Sequence, residues 1–201
     1  MKNIKIGVMC EESQEICKAF RKRGFETYSC DLKPCSGGHP EWHFQANCID
    51  IIPLFVWDLI IFHPDCTAMA VSGNRWYGTG MKWHYKRLDA INWTLMVWNL
   101  ICKHSKSSVL ENPVSVVFST DQLKNPQYIQ PWMFGHGETK KTGLKLRNLP
   151  ELKPTNIVSG RENRIWKMPP SADRKELRSK TYPGIAEAMA VQFGNYLTEV
   201  F

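Results

Sequence analysis

The sequence lacks any apolar run long enough to cross a bilayer, and its first residues lack the apolar core of a signal peptide. These absences predict a cytoplasmic protein with no membrane partner. Internal repeats and low-complexity tracts are also absent, which excludes repeat architectures. Acidic residues are few: 19 Asp and Glu stand against 26 Lys and Arg, a formal charge of +7. That excess fits a polyanionic partner, although surplus lysine is also common on inert surfaces.

Cysteine occurs seven times, an odd number with no export signal, which predicts free thiols in a reducing compartment. Cys30, Cys35, His39 and His43 have a spacing that can supply four zinc ligands. Because Cys30 falls in a predicted buried strand, we favour the reading in which no metal is bound.

The length of 201 residues suits one domain, 1–201, with a substantial core. Alternating strand and helix patterns predict an α/β protein. A βαβ unit opens the chain, and its second strand closes on Asp31. The segment 148–180 is rich in proline and charge and reads as an extended excursion. Predicted strands are 4–9, 25–30, 57–62, 107–110 and 141–146, and predicted helices are 12–23, 83–104 and 183–200. The helix 83–104 is amphipathic, and its expected apolar face carries Leu88, Ile91, Leu95, Trp98 and Ile101.

Two candidate catalytic side chains follow predicted buried strands. The loop His-Pro-Asp-Cys-Thr, 63–67, comes directly after the apolar run 59–62, and Glu111 follows the short strand 107–110. Open α/β sheets build their sites at the carboxyl ends of parallel strands. A thiol at Cys66 and a carboxylate at Glu111 therefore suggest covalent chemistry on a heterocycle. The alternatives are a buried small hydrophobe for Cys66 and a capping or surface carboxylate for Glu111.

These pieces, taken in order, resemble the motifs of DNA cytosine-5 methyltransferases, most closely the short stand-alone members encoded by phages and prophages. The segment 64–73 resembles the catalytic loop, in which a glycine, here Gly73, stands seven positions after the cysteine. Further matches are Glu-Asn-Pro at 111–113, Phe-Gly at 134–135 followed by Lys140 and Lys141, Gln-Phe-Gly-Asn at 192–195, and the opening βαβ unit with Asp31. Two departures stand out: the first loop, 9–13, lacks the family's glycines, and Asp65 occupies a position where the family usually has proline. A carboxylate there should raise the pKa of the Cys66 thiol unless it points away.

The resemblance implies a single-domain, Rossmann-like S-adenosylmethionine-dependent methyltransferase fold, with the target-recognition region reduced to 148–180. It implies methyl transfer from S-adenosylmethionine to carbon 5 of cytosine in DNA, through a covalent adduct with Cys66 while Glu111 holds the ring. Expected cofactor contacts are Asp31 to the ribose, Asp50 to the adenine amine, Pro64, and Asn195 to the methionine end. A turn aspartate, a helix cap and an ordinary helix residue are the alternatives for Asp31, Asp50 and Asn195. A host cell that is bacterial or infected by phage follows from the same resemblance.

Residues expected to contact DNA are Ser72, Gly73, Arg75, Lys140, Lys141, Arg161, Arg164 and Arg174. The segment after the catalytic loop also interleaves aromatic residues (Trp76, Tyr77, Trp83, Tyr85) with cations (Lys82, Arg87), as nucleic-acid grooves do. Its glycines predict a mobile loop that closes over a flipped base; a core edge is the alternative.

Two other functions remain open at this stage. One is a related enzyme acting on cytosine nucleotides or single strands, which the small recognition region favours. The other is a non-catalytic DNA-binding protein of the same fold, which the missing glycines favour. The sequence predicts neither the target sequence nor the oligomeric state.

Overall fold

The computed structural model describes residues 3–201, which form a seven-stranded sheet with helices on both faces. The strands are β1 (Lys5–Met9), β2 (Glu26–Asp31), β3 (His43–Gln45), β4 (Trp57–Phe62), β5 (Ser105–Pro113), β6 (Gln127–Ile129) and β7 (Thr142–Arg147). Their order is β3-β2-β1-β4-β5-β7-β6. The first five strands run parallel, and β7 pairs antiparallel with both β5 and β6.

The helices cover the two faces of the sheet with separate apolar clusters. They are α1 (Glu15–Lys22), α2 (Cys48–Ile51), α3 (Asn74–Tyr77), α4 (His84–His104), α5 (Arg164–Lys167), α6 (Arg174–Ser179) and α7 (Pro183–Val200). Helices α1 and α7 pack together on one face, and α2 and α4 lie on the other. Strand β4 is buried on both sides, because Leu59 and Ile61 join the first cluster while Ile60 and Phe62 join the second. This explains the unbroken apolar run, as expected for a central parallel strand.

The chain changes direction across the sheet at β1, which lies between β2 and β4. Such a switch point opens a crevice at the carboxyl ends of the strands. The register aligns Met9 with Phe62, and Phe62 with Leu110. The loop after β1, the loop after β4 and Glu111 in β5 therefore lie at the same edge of the sheet.

Several elements differ from the sequence prediction. Strands β3 and β6 have only three residues each, too few for an alternating pattern to be recognised. Helix α4 was predicted to bury Leu88, but Leu88 is 48% exposed and its neighbour Arg87 is buried instead. The excursion 148–180 contains the short helices α5 and α6. Within residues 3–201, no helix combines the length and apolarity that a bilayer crossing demands.

Candidate active site

His63 and Glu111 form a partly buried pair where β4 ends beside β5. The Nδ1 atom of His63 lies 2.8 Å from Oε2 of Glu111. The backbone N–H of His63 donates to the carbonyl of Met9, which fixes the imidazole between the ends of β1 and β5. Burial opposes ionisation of Glu111, but the hydrogen bond and charge of His63, together with Lys140, hold the pKa of Glu111 below its usual range. Glu111 is therefore an anion at neutral pH.

The Cys66 thiol faces a negative environment. Burial raises the pKa of Cys66, and the carboxylates of Glu111 and Asp65 raise it further, while Lys140 acts in the opposite direction. Cys66 and Glu111 are thus close enough to interact through their charges, as the strand order predicts. Burial and the two carboxylates thus favour the protonated thiol.

The charge of Asp65 raises the pKa of the Cys66 thiol, but this charge is partly compensated. One oxygen accepts hydrogen bonds from the N–H and hydroxyl of Thr67, and the other lies 2.8 Å from Nζ of Lys175 in α6. A second ion pair joins α6 to the loop after β2, where Lys33 lies 3.6 Å from Glu176. Helix α6 therefore bridges the catalytic loop and the crevice at β1 and β2, a position that the reading of 148–180 as a recognition region did not anticipate.

The loop that carries Cys66 is held from both sides. The side-chain N–H of Asn112 donates to the carbonyl of Pro64 at 3.0 Å, so Pro64 is buried against β5. On the other side, the Arg87 guanidinium donates to the carbonyls of Ala68 and Ala70 and to Oδ1 of Asn74. Arg87 therefore fixes the loop and is not an exposed contact for a phosphate, as had been expected for a groove residue.

A small cavity lies beside the pair of His63 and Glu111. Its volume is about 10 Å³, and its walls include Lys140, Tyr182 and Met189. A volume of this size holds about one water molecule. Two buried polar atoms at this edge, Nε2 of His63 and Oδ1 of Asn112, make no hydrogen bond among the described residues. A ring that contacts Glu111 therefore requires the wall of this cavity to move.

The loop after β1 adopts a tight conformation without glycine. Cys10 and Gln14 have φ angles of 62° and 57°, in the left-handed region that glycine enters most easily. Gln14 is held there because its amide exchanges two hydrogen bonds with the backbone of His39 and donates a third to the hydroxyl of Ser29. Gly37 packs against it so closely that a Cβ would lie 2.5 Å from the Gln14 Cβ. Side-chain hydrogen bonds thus replace the conformational freedom of glycine.

Glu11 in the same loop is a buried carboxylate that caps α1. Its oxygens accept the backbone N–H groups of Ile16 and Cys17, at 2.7 and 3.2 Å. Those N–H groups have no partner within the helix, and the helix dipole favours a negative charge there. Burial raises the pKa of Glu11, and the charge of His63 opposes this shift. His63 therefore interacts with a carboxylate on each side.

The predicted cofactor residues fall into two groups. Asp31 ends β2 beside the crevice, where it accepts the N–H of Lys33, and Asp50 is exposed on α2. Asp50 is not the cap of α2, because Asn47 occupies that position and accepts the N–H of Ile49. Asn195 accepts a hydrogen bond from Arg23, just before β2 begins, and so lies at the opposite edge of the sheet. The structure does not bring Asn195 to the expected cofactor site.

The predicted DNA contacts are spread over several surfaces. Ser72 and Arg75 are exposed on the turn and helix that follow the catalytic loop, with Gly73 half-buried between them. Residues 71–77 form two short helical turns where a loop is expected from the glycines. Lys140 lines the small cavity, while Lys141 points to the ring of Tyr128.

The three arginines of the excursion have partners within it or next to it. Arg164 pairs with Glu138, Arg174 donates to the carbonyl of Met168, and Arg161 stacks on Trp132, 3.9 Å from the ring centre. They therefore do not form one surface of unpaired cations.

The two histidines among the four candidate zinc ligands have other partners. His43 contacts the hydroxyl of Ser29 and the carbonyl of Lys33, and His39 stacks on Trp42 beside Glu41. In the described part of the chain, no group of three or more His, Cys, Asp or Glu side chains is arranged to hold a metal.

Sequence reasoning missed two residues at this site. His63 directly precedes the recognised motif, and its proximity to Glu111 depends on the register of β4 and β5. Glu11 is missed because the expected glycine-rich loop has no acidic side chain at this point. An acidic residue immediately after a first buried strand and before a helix was the available signal.

No known family profile matches the sequence, and no curated protein matches it. Two solved structures share its fold. A prophage-encoded E. coli protein described as a DNA modification methyltransferase is 11% identical, with a TM-score of 0.51, over 77% of this chain and 52% of that one. The methyltransferase EhMeth of Entamoeba histolytica is 12% identical, with a TM-score of 0.55, over 79% and 58%. The chain thus spans little more than half the length of these proteins, and at such identities the likeness concerns the fold alone. The Rossmann-like methyltransferase fold predicted from the sequence is confirmed.

Proposed function

We propose that this protein transfers a methyl group from S-adenosylmethionine to carbon 5 of cytosine in DNA. The observation that carries the proposal is the position of Cys66 and Glu111 at the same edge of the sheet, one in the loop after β4 and the other at the end of the neighbouring parallel strand β5. Carbon 5 of cytosine becomes nucleophilic only when a thiolate adds to carbon 6. A thiol facing a carboxylate is the arrangement that such chemistry requires.

The crevice suits the proposed cofactor in its donor chemistry. Asp31 and Glu11 are carboxylates at the ends of the strands that border the crevice. Asp31 can accept the two ribose hydroxyls, and both carboxylates favour a ligand that carries sulfonium and ammonium cations. Bound there, the cofactor supplies an electrophilic methyl group.

Glu111 and Cys66 act in a coupled manner in this mechanism. In the proposed step the Glu111 carboxylate takes up the proton that leaves the Cys66 thiol, which removes part of the negative charge that raises the pKa of that thiol, and passes the proton to N3 of the ring. The sulfur forms a bond to carbon 6 as N3 gains this proton. Carbon 5 then takes the methyl group, and S-adenosylhomocysteine is left. A water or hydroxide removes the proton from carbon 5, the bond from sulfur to carbon 6 breaks, and N3 returns its proton to Glu111 as the thiolate is released.

The decisive experiment is covalent trapping. DNA that carries 5-fluorocytosine cannot lose the substituent at carbon 5, so the adduct with Cys66 should persist in the presence of S-adenosylmethionine. Mass spectrometry of tryptic peptides should locate it at Cys66 and find none in Cys66→Ala. Cys102→Ala, at another half-buried cysteine, is the matched control and should still form it. An adduct that survives Cys66→Ala would overturn the proposal.

A second candidate is the same reaction on single strands or cytosine nucleotides. It is favoured by the excursion 148–180, whose arginines are occupied by partners within the protein and whose helix α6 contacts the catalytic loop. Methylation of matched single-stranded, duplex and nucleotide substrates separates the two.

A further inference from the structure

An open cleft lies beside the catalytic loop and has no role in the mechanism above. Its walls are Trp76, Trp83, Met81, Arg75 and Lys82, and its volume is about 220 Å³. The indole rings of Trp76 and Trp83 are 5.6 Å apart and inclined by 31°. Trp76 is 51% exposed. We call this feature the tryptophan cleft. It is smaller than the usual site of a drug-sized ligand, and it suits one planar ring.

The tryptophan cleft is fixed to the loop that carries Cys66. A Cβ on Gly73 would lie only 3.2 Å from the carbonyl oxygen of Thr67, so α3 begins directly against the residue that follows Cys66. Arg87 binds both the loop and Asn74, the first residue of α3. Since an α-helix rises about 1.5 Å per residue, the cleft starts within one turn of this contact. A group bound there and a group bound at Cys66 are thus neighbours.

The charged side chains that line the tryptophan cleft, Arg75 and Lys82, are both cations. Between Asp65 and Asp89 the sequence contains no acidic residue. The guanidinium of Arg75 lies 4.9 Å from the ring centre of Trp76, and Nζ of Lys86 lies 5.5 Å from that of Trp83. Exposed aromatic rings among cations are the arrangement by which proteins stack bases and neutralise the adjoining phosphates.

We propose that the tryptophan cleft binds one unpaired base of a single DNA strand, next to the cytosine at Cys66. Trp76, the more exposed of the two rings, stacks on the base while Trp83 borders it, and Arg75 and Lys82 contact its phosphates. In a duplex each base is already stacked and paired, so only an unpaired base can enter. The proposal rests on the proposed function for the identity of the nucleic acid. It makes single-stranded DNA the preferred substrate.

The test measures binding in a Cys66→Ala background, so that no reaction is needed. Fluorescence anisotropy would follow a labelled oligothymidine, its duplex with oligoadenine, an oligouridine, and an abasic strand of equal charge. Trp76→Ala should weaken binding of the single strand by about 5- to 150-fold, the range of one stacked base. Trp76→Phe should restore most of the affinity. Trp166→Ala, with a 75% exposed ring outside the cleft, is the control and should change affinity less than twofold.

The abasic strand should bind equally to the protein with and without Trp76, because it has no base to stack. Equal affinity for duplex and single strand, or tighter binding of oligouridine, would overturn the proposal, as would a Trp76→Ala variant that binds normally. Its failure is distinguishable from failure of the proposed function. If affinity depends on Trp76 but no adduct forms at Cys66, the base-binding role of the tryptophan cleft stands and the proposed reaction is wrong. If an adduct forms at Cys66 but affinity does not depend on Trp76, the proposed reaction stands and the role of the cleft is wrong.

Discussion

The Nδ1 atom of His63 lies 2.8 Å from Oε2 of Glu111, so that the ends of β4 and β5 are joined by a partly buried pair. Because little of the Glu111 side chain reaches solvent, removal of its partner leaves a charge that must be neutralised or hydrated. His63→Leu should reduce the free energy of unfolding by about 3 kcal/mol in urea titrations. His63→Asn, which keeps a donor near Nδ1, should recover part of the loss. A His63→Leu protein as stable as the wild type would show that the pair is not stabilising.

The two carboxylates beside His63, Glu111 and Glu11, should make the stability of the protein depend on pH in opposite ways. The lowered pKa of Glu111 means that its contribution to stability is complete above about pH 4.5 and is lost as the pH falls through the lowered value. The raised pKa of Glu11 means that the folded protein holds this proton more tightly than the unfolded chain. Stability is therefore lost as the pH rises from about 4.5 through the raised value.

Melting temperatures measured from about pH 2.5 to about pH 7 check this expectation, because the loss from Glu111 falls below about pH 4.5 and that from Glu11 above it. As the pH rises, the melting temperature of Glu11→Gln should increase relative to that of the wild type, and the melting temperature of Glu111→Gln should decrease relative to it. Differences that do not vary with pH would contradict the assigned pKa directions.

Alkylation of Cys66 should report the carboxylates that face it. The thiolate is the reactive form, so a lower pKa gives faster reaction with iodoacetamide at neutral pH. Glu111→Gln should accelerate alkylation more than Asp65→Asn, because Glu111 raises the pKa of Cys66 more than Asp65 does. Lys175→Ala should slow it, since the charge of Asp65 then has no lysine beside it. Mass spectrometry can follow Cys66 with Cys102 as the internal reference; the reverse order would exclude this electrostatic account.

Asp31 should contribute strongly to cofactor binding. A bidentate charged hydrogen bond contributes about 1.5 to 3 kcal/mol, so Asp31→Ala should weaken binding of S-adenosylhomocysteine by about 10- to 150-fold in calorimetry. Asp121→Ala, at a fully exposed aspartate, is the control. Asp50→Ala measured alongside tests the expected contact with adenine. Unchanged affinity in a folded Asp31→Ala protein would place the cofactor elsewhere.

Arg87 should matter more for stability than any neighbouring cation. Its guanidinium makes three hydrogen bonds to Ala68, Ala70 and Asn74 while it is 6% exposed. Arg87→Met should lower the free energy of unfolding by about 2–4 kcal/mol, and Lys86→Met, on the exposed side, by less than about 0.5 kcal/mol. Similar losses of unfolding free energy in both variants would contradict a stabilising role for the three hydrogen bonds of Arg87.

The sequence predicts the long elements because their patterns are local. The buried run of β4, the helical spacing of α1 and the proline at the start of α7 are each visible within ten residues. The reading of α4 failed at Leu88, where the helix passes the catalytic loop and a buried arginine takes the inner position. That exchange depends on carbonyls of Ala68 and Ala70, nearly twenty residues away.

The candidate site was predictable in part for the same reason. Cys66 and Glu111 were identified because each follows a strand whose neighbours could be inferred. His63 and Lys175 were not, because their importance arises from contacts to residues 48 and 110 positions away in sequence. Asn195 was expected at the cofactor crevice but lies at the opposite edge of the sheet. The sequence match identifies residue types, and it does not determine which end of the helix lies near the crevice.

The hydrogen bonds that hold the loop after β1 in place affect the entropy cost of ligand binding at the crevice. The hydrogen bonds of Gln14 to His39 and Ser29 join that loop to the segment after β2, so the two borders of the crevice move as one unit. A glycine-rich loop loses conformational entropy when a ligand orders it. Here that entropy is lost during folding, together with the strain of two left-handed residues. The crevice between the loops after β1 and β2 is therefore shaped before any ligand arrives. Without glycine in the first loop, this crevice adapts less to a ligand but loses less conformational entropy on binding.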